Sequence, residues 1–126
     1  MSNPINAYKK IVKDTLSGRE IEAAVLIKAA EKLQECQQHW NSSDRDKKLD
    51  ESIKFNQLIW SIFQSELASV DNPLPKELRA NLLRLSAFID KRSLETIAYP
   101  ASEKLNILIN INRNIAAGLR ERPQAA

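Results

Sequence analysis

The chain is poor in the residues that cross-link, turn and catalyse. Of its 126 residues one is a cysteine, Cys36, which excludes an internal disulfide and is too few for a structural zinc site. Its two glycines, Gly18 and Gly118, stand alone, so no glycine-rich phosphate loop is present. With five prolines beside them, turn and hairpin signals are too sparse for an all-β fold. No stretch approaches the roughly 18 to 20 apolar residues that span a bilayer, and no N-terminal apolar run resembles a signal peptide. The expectation is a soluble protein of the reducing cytoplasm, without a membrane contact.

Charge is present in both signs. Charged residues make up 28% of the chain, the formal net charge is +3 and the sequence pI is about 9.1. The basic pairs Lys9-Lys10, Lys47-Lys48 and Lys91-Arg92 mostly have acidic residues close by. A nucleic-acid footprint needs a basic run or arm with interleaved aromatics, and there is none. A solvated mixed-charge surface is the main reading, with direct RNA contact the lesser one.

Hydrophobic residues, 43% of the chain, recur at helical spacing throughout. The length suits one domain with one core. A leader at about 6–16 carries Tyr8, Ile11, Val12 and Thr15 on one face; so short a helix docks on the rest or orders on binding. Ser17-Gly18 interrupts it. A second pattern, about 19–40, places Val25, Leu26, Ala29, Ala30, Leu33, Cys36 and Trp40 in one stripe, its alanines small enough for a close neighbour. Ser43 or Asp44 is suited to cap the next helix, about 44–69, whose apolar face holds Leu49, Ile53, Phe55, Ile59, Trp60, Ile62, Phe63, Leu67 and Val70. Asp71-Asn72-Pro73-Leu74-Pro75 stops that helix and starts another, about 75–96, with Leu78, Leu82, Leu85, Phe88 and Ile89 toward the core. After Tyr99-Pro100 the last helix begins near Ser102, a candidate cap, and carries Leu105, Leu108, Ile109, Ile111, Ile115 and Leu119. Gly118 sits where helices commonly end, and the tail 120–126 reads as frayed. The fold expected is all-α: a compact single-domain bundle of four long helices plus a short N-terminal helix.

Candidate chemistry is thin. His39 and Cys36 are three residues apart, but a nucleophile pair needs an orienting third group, and Cys36 lies on an apolar stripe where free cysteines are mostly core. The carboxylate pairs Asp44/Asp46 and Asp50/Glu51 sit in charged, solvated sequence. No catalytic set, metal site, cofactor or small-molecule substrate is expected.

Two amides interrupt apolar arcs. Asn56 projects between Phe63 and Leu67, and Asn112 falls between Leu108 or Leu119 and Leu105. An unpaired buried amide costs about 1 to 3 kcal/mol. Each therefore bonds a backbone group or the other asparagine and fixes register, or faces a groove and bonds a partner.

Several ordered segments carry a resemblance. Ala7-Tyr8, Arg19-Glu20-Ile21-Glu22 and Asn56-Gln57-Leu58-Ile59-Trp60 are followed by the most specific stretch, Leu74-Pro75-Lys76-Glu77-Leu78-Arg79-Ala80-Asn81-Leu82-Leu83-Arg84-Leu85-Ser86. Ile111-Asn112-Arg113-Asn114-Ile115-Ala116-Ala117-Gly118-Leu119 closes the series. In order and spacing these resemble the FlaF family of flagellar biosynthesis proteins, of alphaproteobacterial type, over nearly the whole chain. Residues 43–50 and the tail after Arg120 match no motif. The resemblance implies a secretion chaperone of flagellin that also regulates its synthesis and works alongside FlbT. The alternative it leaves is a post-transcriptional regulator or adaptor acting on flagellin messenger RNA through FlbT. Wide apolar helix faces suit helix-in-groove recognition of an amphipathic flagellin segment. Candidate contacts are Asn56, Trp60, Phe63, Leu78, Phe88 and Asn112, which packing would also explain. Arg79, Arg84 and Arg113 join them, with surface salt bridges as the plainer alternative.

Overall fold

In a computed structural model, which describes residues 18–120, the chain is an all-α bundle. Its helices are α1 (Gly18–Gln38), α2 (Arg45–Ala68), α3 (Lys76–Ala98) and α4 (Leu105–Arg120), the last entered through a 3-10 turn at Ser102–Lys104. The expected leader helix and the tail 121–126 lie outside the described residues. No described helix is long and apolar enough to cross a membrane.

The helix ends follow local chemistry more than capping rules. Asp44 stands at the start of α2, but its carboxylate accepts the Ser42 hydroxyl at 2.5 Å instead of capping the helix, which lowers its pKa. Ser102 opens the 3-10 turn without a side-chain cap bond, so that expectation also fails. The break between α2 and α3 is built as its sequence requires. Asn72 Nδ2 donates to the Glu66 carbonyl (2.9 Å) at the end of α2, and Asn72 Oδ1 accepts the Leu74 N–H (3.0 Å). Pro75 follows in extended geometry, lacking the N–H that a first turn leaves unpaired anyway. Gly118 does not end α4, which continues to Arg120; its φ is not positive.

Packing is unequal among the four helices. The α1–α4 interface is the most extensive, α2 lies against α1, and α3 rests chiefly on α2 and barely meets α4. Ala23, Leu26, Ala29, Ala30 and Leu33 of α1 are wholly buried, as are Ile53 of α2 and Leu105, Leu108 and Ala116 of α4. At the far end, Gln37 Nε2 ties α1 to α4 through the Ser102 carbonyl (2.9 Å) and Asn106 Oδ1 (2.7 Å).

The α3 core face differs from the expected leucine stripe. Its buried residues are Ser86, Ile89, Ser93 and Thr96, a narrow row of mostly small side chains. Leu78 and Phe88, expected in the core, are 43% and 39% exposed. Ile62 and Val70 of the α2 face are also exposed, Val70 because it lies beyond the end of the helix. An apolar arc read from spacing is wider than the contact one neighbouring helix can cover.

Small residues are what the α1 stripe requires. Replacing wholly buried Ala30 by leucine should overpack the core and lower unfolding free energy by about 1 to 3 kcal/mol in urea titration.

Candidate partner-binding groove

A polar cluster lies inside the apolar core. Trp60 Nε1–H donates to Asn112 Oδ1 (3.0 Å), and Asn112 Nδ2 donates to Asn56 Oδ1 (2.7 Å). The same Nδ2 approaches the Leu26 carbonyl of α1 at 3.4 Å. Asn56 and Asn112 are fully buried and Trp60 is 1% exposed. The amides are thus the buried lock of the two readings above, joining α2 to α4 and reaching α1. One group stays unmatched: Asn56 Nδ2 has no hydrogen-bond partner.

Above this cluster lies an open groove of about 660 Å³ at the end of the bundle where α1 begins and α4 finishes. The first turn of α1 gives Gly18, Arg19, Ile21 and Glu22. From α2 come Trp60, Phe63, Glu66 and Leu67, and the following linker adds Asn72, Pro73 and Leu74. Leu82 of α3 and Ile115 and Leu119 of α4 complete the wall. The groove exists because α3 is carried by α2 and leaves α4 uncovered on that side. Phe63 meets Trp60 edge-on, ring centroids 5.6 Å apart at 86°, so the aromatic wall is fixed from beneath by the amide cluster.

Two carboxylates interrupt the apolar lining. Glu22 is held above the ordinary glutamate value of 4.5, first by desolvation and then by the neighbouring charge of Glu66. Neither takes part in an ion pair among the described residues.

Of the nine residues singled out in the sequence, the groove gathers two, Trp60 and Phe63. Asn56 and Asn112 lie below it as structure. Leu78 and Phe88 are exposed elsewhere, with Arg92 stacked 5.7 Å from the Phe88 ring. The three arginines take neutral acceptors, and none forms a salt bridge among the described residues. Arg79 bonds the Ser69 carbonyl (2.9 Å), Arg84 bonds Asn81 Oδ1 (2.8 Å) and Arg113 bonds Gln34 Oε1 (2.6 Å). Arg79 therefore braces the α2–α3 linker. Leu82, Ile115 and Leu119 were visible in the sequence as core positions and, with Leu74 of the helix break and Glu22, as members of the family-like segments, but not as groove lining. Glu66 gave no signal.

A second, polar cavity of about 290 Å³ lies beside Cys36 and His39. Burial pushes the Cys36 thiol up, against smaller opposing effects of Arg45 and Ser52. That is the reverse of nucleophile activation. His39 Nδ1 lies 3.0 Å from the Glu35 carbonyl, and no group of three or more metal-ligating side chains occurs among the described residues.

Against known proteins, a family model described as Flagellar protein FlaF matches residues 4–119. No curated protein and no solved structure matches the chain.

The amide cluster predicts coupled energetics. Asn112→Leu strands both the Trp60 N–H and the Asn56 carbonyl oxygen, and should cost about 2 to 4 kcal/mol in urea unfolding. The Asn56→Leu/Asn112→Leu double variant should cost less than the sum of the two single ones.

Proposed function

From the premise that the chain belongs to the FlaF family of flagellar proteins, we propose that it binds flagellin as a cytoplasmic, non-catalytic secretion chaperone. The observation that carries this reading is the open groove, whose lining includes Ile21, Phe63, Leu67, Leu82, Ile115 and Leu119 beneath a partly charged rim. Such a surface suits the apolar face of an amphipathic helix. Flagellin's terminal segments, amphipathic and unfolded before assembly, supply such a face. Covering it keeps the subunit from polymerising before export. Regulation of flagellin synthesis follows if occupancy of the groove is sensed by FlbT.

Calorimetric titration with flagellin, intact and lacking either terminus, tests this. Binding should depend on one terminus. Leu119→Glu should weaken it by on the order of tenfold or more, since a charge must be desolvated against an apolar face. Leu94→Glu, on the 65% exposed side of α3, should leave binding unchanged. Absence of binding to every form of flagellin overturns the chaperone reading. A gel shift with flagellin messenger RNA that collapses as salt rises would favour direct RNA regulation instead.

A further inference from the structure

The groove opens where the chain enters the described fold, because Gly18 and Arg19 are themselves part of its wall. Residues 1–17 precede that point in the sequence. Their sequence complements the groove, whose wall holds Arg19 beside two carboxylates. Tyr8, Ile11 and Val12 form an apolar face at helical spacing, and Lys9, Lys10 and Lys13 bring three cations among them. The groove offers an apolar floor of Phe63, Ile115 and Leu119, and the carboxylates of Glu22 and Glu66 without an ion-pair partner among the described residues.

We propose that residues 6–16 of the same chain fold back as a short helix into this groove, apolar face down, with their lysines on Glu22 and Glu66. Length permits it: at 1.5 Å per residue a helix over 6–16 is about 16 Å long, leaving Ser17 as the reversing link. A helix this short is unstable alone and gains its stability from the surface it covers. Tethering makes the encounter intramolecular, at an effective concentration in the millimolar range. The leader is then the resident occupant of the groove, and any incoming helix must displace it. The affinity measured for such a partner is reduced in proportion to the fraction of molecules whose groove stands open. The inference shares its site with the flagellin reading but holds whether or not flagellin binds there.

The test uses the full chain with a photoreactive benzophenone side chain in place of Tyr8, irradiated at low concentration without any partner. The expected product is an intrachain crosslink mapping to Phe63, Leu74, Ile115 or Leu119. In the Ile11→Glu/Val12→Glu background its yield should fall by about tenfold or more, as loss of two buried aliphatic side chains requires, while circular dichroism loses no more than the leader's own share of the helical signal and the urea midpoint of the bundle is kept. Crosslinks between two copies, crosslinks to the Cys36–His39 end, or none at all would overturn the proposal. Loss of flagellin binding with the intrachain crosslink intact would count against the chaperone reading alone.

Discussion

Everything else in this molecule is arranged around one hydrogen-bonded triad in the buried core, Trp60–Asn112–Asn56. Away from water such bonds are strong when complete and costly when broken. A one-turn slip of α4 along α2 would strand all three groups, so the triad admits a single register. The Leu26 carbonyl near the same amide extends the constraint to α1. Apolar residues supply the driving force here, but they are tolerant of exchange and sliding. The amides turn a generic three-helix packing into a particular one.

That fixed frame explains why α3 can be different. With α1, α2 and α4 registered against one another, α3 needs only α2, and its buried face shrinks to Ser86, Ile89, Ser93 and Thr96. Gln64 of α2 reaches both Ser86 and Asp90, adding polar attachment where hydrophobic area is small. The arrangement leaves apolar surface of α4 and α2 uncovered at one end, and that surface is the groove. The open site is thus a result of how few contacts α3 requires.

Much of the fold was legible because helical spacing records which residues face inward. The helices lie within about two residues of their expected ends, except that α4 begins at Leu105, three residues after Ser102 and behind a 3-10 turn. Asn56 and Asn112 stood out since an amide in an apolar arc must be explained. The groove was much less legible. Spacing gives the direction a side chain faces, not whether another helix reaches it. Leu119 and Leu105 share an arc, yet Leu105 is buried and Leu119 lines an open wall. The same limit misplaced Leu78 and Phe88, whose arc was right but whose neighbour was absent. Arg79, Arg84 and Arg113 stood out by charge, and they bond neutral oxygens: Arg79 and Arg84 close by in sequence, Arg113 across the α1–α4 interface to Gln34.

The two tryptophans occupy opposite ends of this design. Trp60 is sealed beneath the groove and forms part of its wall, while Trp40 lies in the α1–α2 turn with the Arg45 guanidinium 4.4 Å from its ring. Indole emission follows the polarity of its surroundings, so the molecule carries its own optical gauge. A change confined to the Trp60 component reports on the floor of the groove, with Trp40, outside its lining, as a reference. Occupancy can therefore be followed in the unlabelled protein, in real time and at concentrations far below those that crystallography or magnetic resonance demands.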